Sequence, residues 1–421
     1  MSLILQKIKF NMLSESIIKV KTHTKIALSY LFIAAFLGII LRLFSITNIS
    51  ATYKYIIHTH SHIALLGWVY VALTTLIYHF GIDKEKAKNY YIIFWSTQIT
   101  IIGMLFTFPF IGYALYSIIF STLFLICSYW FYFFFKKNHT LHLKSISYKF
   151  ISTSLLLMII STIGPWALGA IMNTLGPTSS WYKNAIYFYL HFQYNGWFIF
   201  CLIGVFYFLL EKSKISFSKK AANQFYNLML ISCVLTLCLS FLWMNPSSII
   251  YIIAILGAIL QWIAFGVFYK QVNEIKTELK ELLKPQLYAL LKLVFVLILI
   301  KVSLQACTAI PYFSELTTII LDFVIGYLHL TFLGVVTLST LVFLRFYKLI
   351  ALPKIWISMF ILGFVLSEIL IFYKGFSAWQ QLYLLDHYFT YLVICSALMP
   401  LGILGILLKS SFTSSTQQES L

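Results

Sequence analysis

The chain has 421 residues, 61% of them apolar and only 10% charged, and a formal net charge of +18. A soluble domain of this length needs far more charge to cover its surface, so composition excludes a soluble enzyme or a soluble nucleic-acid-binding protein. Apolar runs recur from Lys25 to Lys409, each of roughly 20 residues and so long enough to cross the hydrocarbon core of a bilayer. With no water at that depth to satisfy backbone groups, the runs are predicted to be helices. They are continuous, whereas a β-barrel shows short alternating segments.

In chain order the spans are predicted at 26–47, 57–80, 90–107, 111–135, 147–172, 184–210, 224–243, 248–270, 286–309, 320–346, 355–373 and 383–407. The fold class is all-α: a polytopic membrane protein of about twelve transmembrane helices. A segment at 1–25 leads into a transmembrane domain at 26–409, and a Ser/Thr/Gln-rich tail at 410–421 is expected to be disordered. The first span is too long for a signal-peptide core and lacks a small-residue cleavage site, so it is expected to be retained. Between the eighth and ninth spans, Gln271 to Pro285 reads as a short amphipathic helix at the membrane interface.

Of the 30 Lys and Arg, 24 fall before the first span, in or beside alternate loops, and in the tail. The intervening loops hold only Lys54, Lys183 and Lys374, and Arg42, Lys292 and Lys301 lie within spans. That alternation is the positive-inside signature; it predicts both termini in the cytoplasm and an even number of spans in a plasma (inner) membrane. The basic charge therefore serves topology and contact with anionic lipid, not nucleic acid. The cysteines (Cys127, Cys201, Cys233, Cys238, Cys307, Cys395) form no CxxC or CxxCH, so disulfides, thiolate zinc and covalently attached haem have no support.

Polar, titratable side chains inside a bilayer are costly and call for explanation. The second span opens with His58, His60 and His62, the sixth carries His191, the tenth His329 and the twelfth His387. Even-numbered spans all run inward from the outer surface, so these imidazoles share one slab in the outer half of the membrane. Four helices offering imidazole at one depth suit a shared metal or haem site, since imidazole is an axial ligand of haem iron. The plainer reading of each is a histidine that hydrogen-bonds a neighbouring helix or is solvated at the interface. His58 and His62 share a helix face at i,i+4 while His60 points elsewhere. His-Ile-Ala-Leu-Leu-Gly at 62–67 also echoes His-Leu-Thr-Phe-Leu-Gly at 329–334.

These residues resemble the catalytic subunit of the haem–copper oxidases and nitric oxide reductases. The resemblance covers the whole chain in topology: twelve spans, cytoplasmic ends, and outer-side histidines in spans two, six and ten. His58-Thr59-His60 is similar to that family's span-two His-Thr-Asn. His191-Phe-Gln-Tyr-Asn195-Gly196 is similar to its His-x-x-x-Glu-Gly, and Tyr327-Leu-His329-Leu-Thr-Phe-Leu-Gly334 to the latter part of its His-Gly-His-Leu-x-Phe-x-Gly. The departures are a seventh span without the family's histidine pair, Tyr327 at the first span-ten histidine, and Asn195 at the glutamate. The resemblance implies a low-spin haem b held between His58, or else His62, and His329. It implies a binuclear centre that is dismantled or rebuilt, with His191, His60 and His387 as candidate ligands for a second haem, copper or iron. Electron transfer or chemistry on nitric oxide or oxygen would follow, fed by a partner subunit, cytochrome c or quinol. A second twelve-span haem and copper family, linked to nitric oxide stress, has similar His-rich starts to its second span.

Candidates for proton or charge movement are Lys301, Ser303 and Gln305 in span nine and Glu368 in span eleven. Lys301 lies in the outer half of its span, a place suited to a cavity or a cofactor carboxylate. The rival function is a transporter or cofactor-handling protein whose histidines bind metal transiently. Such proteins carry Gly/Pro-broken spans in matching halves; the 8 prolines here fall mostly at span ends.

Overall fold

A computed structural model describes residues 2–415, with side chains from 19 to 411. Among the described residues there is no β-strand, only an isolated bridge between Ile82 and His139. The chain is an all-α polytopic membrane protein with twelve spanning helices: Lys19–Leu43, Tyr53–Gly81, Lys84–Ile111, Leu115–Asn138, Ile146–Thr174, Ser180–Lys212, Lys219–Met244, Ser248–Glu274, Pro285–Cys307, Leu321–Phe346, Lys354–Trp379 and Tyr388–Ser411. Each corresponds to one expected from the apolar runs.

The edges differ from expectation for local reasons. The first helix is continuous over Ser2–Leu43, so the leading segment is not separate from the first span. Its lysines lower the hydropathy without stopping the helix, because neither Gly nor Pro occurs before Gly38. At the other end, helix continues to Ser415, so the first part of the expected tail prolongs the last span; residues 416–421 lie outside the described residues. Between spans eight and nine the expected amphipathic helix is Lys276–Leu282, with Leu279 and Leu283 buried. A further short helix, Pro311–Ile319, precedes the tenth span, and its N1 proline fits the fixed φ of a helix start.

Two compact units make up the chain. One holds the residues up to Thr140, Thr340–Leu370 and those from Leu385; the other holds Leu141–Ser339 and Ile371–Leu384. Burial is uneven among the spans. The second, sixth and tenth are 83%, 89% and 72% buried across their most apolar stretches, against 33–44% for the other nine. These three differ from the rest in backbone too. Each begins as α-helix, ends that part on a histidine (His62, His191, His329), and continues as π-helix over Ile63–Tyr70, Phe192–Phe198 and Leu330–Thr337. π-Helical stretches are rare and gather at functional sites. A glycine follows five residues after every one of these histidines, at Gly67, Gly196 and Gly334. A Cβ at Gly67 would lie 2.9 Å from the Tyr30 ring of the first span, and one at Gly196 the same distance from Leu157 of the fifth. Close approach by the preceding span is what glycine permits there.

The turn between spans three and four bears on the histidines of span two. Gly112 has φ +58 and ψ −140, a conformation that a side chain makes costly, and a Cβ there would lie 2.3 Å from the Tyr55 ring. Tyr113 follows and lies against His58 and His62, with ring centroids 4.6 and 5.9 Å apart. Gly112→Ala is expected to destabilise the protein by about 1–3 kcal/mol, read as a lower thermal midpoint in detergent; an unchanged midpoint would contradict this account of the turn.

Candidate functional site

In the first unit, the helix opening span two aims its histidines in two directions. His60 faces span one: its Nδ1–H donates to the Ala34 carbonyl at 2.8 Å, and its Cε1 lies 3.3 Å from where a Cβ on Gly38 would stand. His58 and His62 face the other way, as their i,i+4 spacing requires. The His62 Nδ1–H donates to the His58 carbonyl at 2.7 Å. This fixes the tautomer and leaves Nε2 carrying the lone pair, 3.3 Å from the Tyr113 hydroxyl. Phe108 packs on the His62 ring at 4.4 Å. A ring nitrogen held by a backbone carbonyl, with the other left to ligate, is the arrangement of a metal-binding histidine. His60 and His62 both have the carbonyl-held Nδ1–H, and the His62 Nε2 accepts from the Tyr113 hydroxyl, which a ligated iron would displace; no such bond orients His58, which is half-buried against Tyr113.

His387 corrects the sequence reading. It does not lie inside the twelfth span but is exposed in the turn before Tyr388, with φ +56. The apolar run Leu382–Leu385 carries the hydropathy signal across this turn although the helix starts after it. Deeper in the first unit, Glu368 of span eleven is buried at 7% exposure.

The second unit contains a buried polar network that joins spans six, seven, nine and ten. Cys233 lies just before span seven tightens from α to 3-10 helix at Thr236, and its carbonyl accepts from the buried His191 Nε2–H at 2.8 Å. The other ring nitrogen, Nδ1, accepts from Asn195 Nδ2 at 3.3 Å. Both nitrogens of His191 are thus in use, and the residue serves as a hydrogen-bonded link between spans six and seven. The Asn195 carbonyl accepts in turn from Lys301 Nζ, which also donates to the Gln305 carbonyl one turn along span nine. The Tyr327 hydroxyl donates to that same carbonyl at 3.1 Å. Lys301 is 2% exposed, and the rings of Tyr194 and Tyr327 stand 5.9 and 5.8 Å from its ammonium, within cation–π range. His329 of span ten is half-buried at the start of its π-helical stretch.

Among the described residues no three or more His, Cys, Asp or Glu are grouped to hold a metal ion. Of the expected second-site ligands, His60 bonds Ala34 through one ring nitrogen, His191 is bonded through both, and His387 is exposed in a turn. A haem with two axial imidazoles asks only for two such side chains, and the fixed tautomer of His62 suits one of those places. Sequence reasoning missed the network joining Lys301 to Asn195 and His191, although Lys301 and Gln305 stood out as polar residues four apart in an apolar span. No family model matches the chain, and a search of curated proteins returns no match.

If His191 is a structural link, His191→Leu strands the Cys233 carbonyl and the Asn195 amide. It should cost about 1–3 kcal/mol, read as a lower thermal midpoint, with no change in bound metal by elemental analysis. Loss of a stoichiometric metal from this variant would return His191 to the list of ligands.

Proposed function

We propose that the chain is an electron-transferring membrane haem protein, resembling the haem–copper oxidase and nitric oxide reductase subunit but without its second metal centre. The observation that carries the reading is the recurrence in spans two, six and ten. The three most buried spans each reach a histidine and then turn π-helical, and two of those histidines, His62 and His329, answer to the axial positions that the resemblance implies. His62 is favoured over His58 because a backbone carbonyl already orients its ring. Phe108 and Tyr113 supply aromatic walls on its side. Held by His62 and His329, a haem would supply a one-electron iron couple, the chemistry of electron transfer. The protein's part is to fix the imidazoles and exclude water.

The basic residues of the alternate loops support a plasma (inner) membrane protein with both termini in the cytoplasm. The electron donor belongs to the class of quinols, cytochromes c or a partner subunit.

The test is a dithionite-reduced minus oxidised spectrum of the detergent-purified protein, with haem counted as the pyridine haemochrome. The expected result is a low-spin haem b that is lost in His62→Ala and in His329→Ala and kept in His60→Ala. A colourless protein, expressed with haem supplied, overturns the reading and directs attention to metal uptake and transport.

A further inference from the structure

The polar network of the second unit forms the floor of a cavity of about 350 Å³. The cavity runs from span ends at Lys183, Trp243 and Trp379 down to Asn195 and Gln305. Along span six, Lys183 to Asn195 is a depth of roughly 18 Å at the helical rise. Its walls are largely Leu, Phe, Tyr and Trp, and no Asp or Glu lines it.

Several of the Ser and Thr hydroxyls that face it donate to their own helix, which leaves an amide donor and two nearby cations as its distinctive groups. Gln305 is only 6% exposed and its carbonyl is taken by Lys301 and Tyr327, while its Nε2 makes no hydrogen bond in the protein. A buried donor left this way forfeits its hydration without recompense. Behind it, the Lys301 ammonium is met only by neutral carbonyls and aromatic faces; no carboxylate of the described residues pairs with it. At the far end Lys183 Nζ lies 4.0 Å over the Trp243 ring, a second cation on the way in.

From this we infer that the cavity binds a small organic carboxylate with an apolar, ring-sized body. The carboxylate accepts from the Gln305 amide and offsets the Lys301 charge, while the aromatic walls cover the body. A cation is disfavoured by the same groups, and a neutral apolar ligand leaves the Gln305 donor and the Lys301 charge unanswered. The inference goes beyond the haem reading and does not depend on it. Two sources share this chemistry, a free carboxylate and the propionate of a bound haem.

The experiment uses the full-length protein in detergent, with haem content counted beforehand. 1-Naphthoate and its neutral counterpart 1-naphthamide are titrated in by calorimetry against a micelle-only blank. The wild type is expected to bind naphthoate saturably and roughly tenfold or more tighter than the amide, the worth of a charge-assisted hydrogen bond. Lys301→Met should erase that preference. Gln305→Glu places a carboxylate beside Lys301 within the chain; it should raise the thermal midpoint and abolish naphthoate binding, which keeps the inference testable if Lys301→Met fails to fold. Naphthoate binding confined to haem-depleted protein would assign the carboxylate to a haem propionate. Binding by a colourless protein would uphold this inference while removing the haem reading. Equal affinity for acid and amide, no saturable binding of either, or unchanged naphthoate affinity in Gln305→Glu overturns it.

Discussion

A polar side chain inside a membrane span finds no water, so its partner has to come from the protein, and that requirement governs where this chain buries its helices. Hydroxyls solve it locally: Thr59, Thr74 and Thr331 each bond the carbonyl four residues back on their own span. An imidazole cannot always do so. The His60 and His191 rings reach across to carbonyls of Ala34 and Cys233 on neighbouring spans, and this works only where helices surround the histidine. The spans that carry five of these imidazoles are accordingly the most buried ones.

The π-helical stretches follow from the same crowding. An i→i+5 ladder sets the histidine and its glycine one hydrogen-bonded step apart. The glycine lets the preceding span press against the helix just where the ladder changes, as Tyr30 does at Gly67 and Leu157 at Gly196. A wider turn re-aims every side chain after it relative to an α-helix. For span six, this region holds Asn195 between His191 and Lys301. Backbone type, small-residue spacing and the reach of the polar network are thus one feature seen three ways.

The twelve spans were legible because each is a continuous apolar run of membrane-crossing length, and charge alternation separates them. Their ends were less so. Hydropathy follows composition, not hydrogen bonding, so the run at Leu382–Leu385 drew His387 into a helix that begins only at Tyr388. Lysines hid the early start of the first helix. In the site, the i,i+4 relation of His58 and His62 was readable from spacing, and so was the echo between 62–67 and 329–334. The third copy, His191 to Gly196, has the same spacing but differs at every position between. The bond from Lys301 to Asn195 joins residues 106 apart, and no local pattern announces a contact of that range.

Lys301 also bears on which chemistry the second unit can hold. A divalent metal beside His191 would need a ring nitrogen, yet one donates to Cys233 and the other accepts from Asn195. It would also face Lys301, whose Nζ bonds the Asn195 side chain that donates to the His191 ring. Two cations in one low-dielectric pocket repel strongly, and neither has a carboxylate at hand to offset it. Lys301 of span nine instead reaches span six directly, through the Asn195 carbonyl. Asn195 and Gln305, which carry this network to the cavity, are neutral amides, and no Asp or Glu stands among the lining residues, so the charge nearest the cavity floor is that of Lys301 behind them.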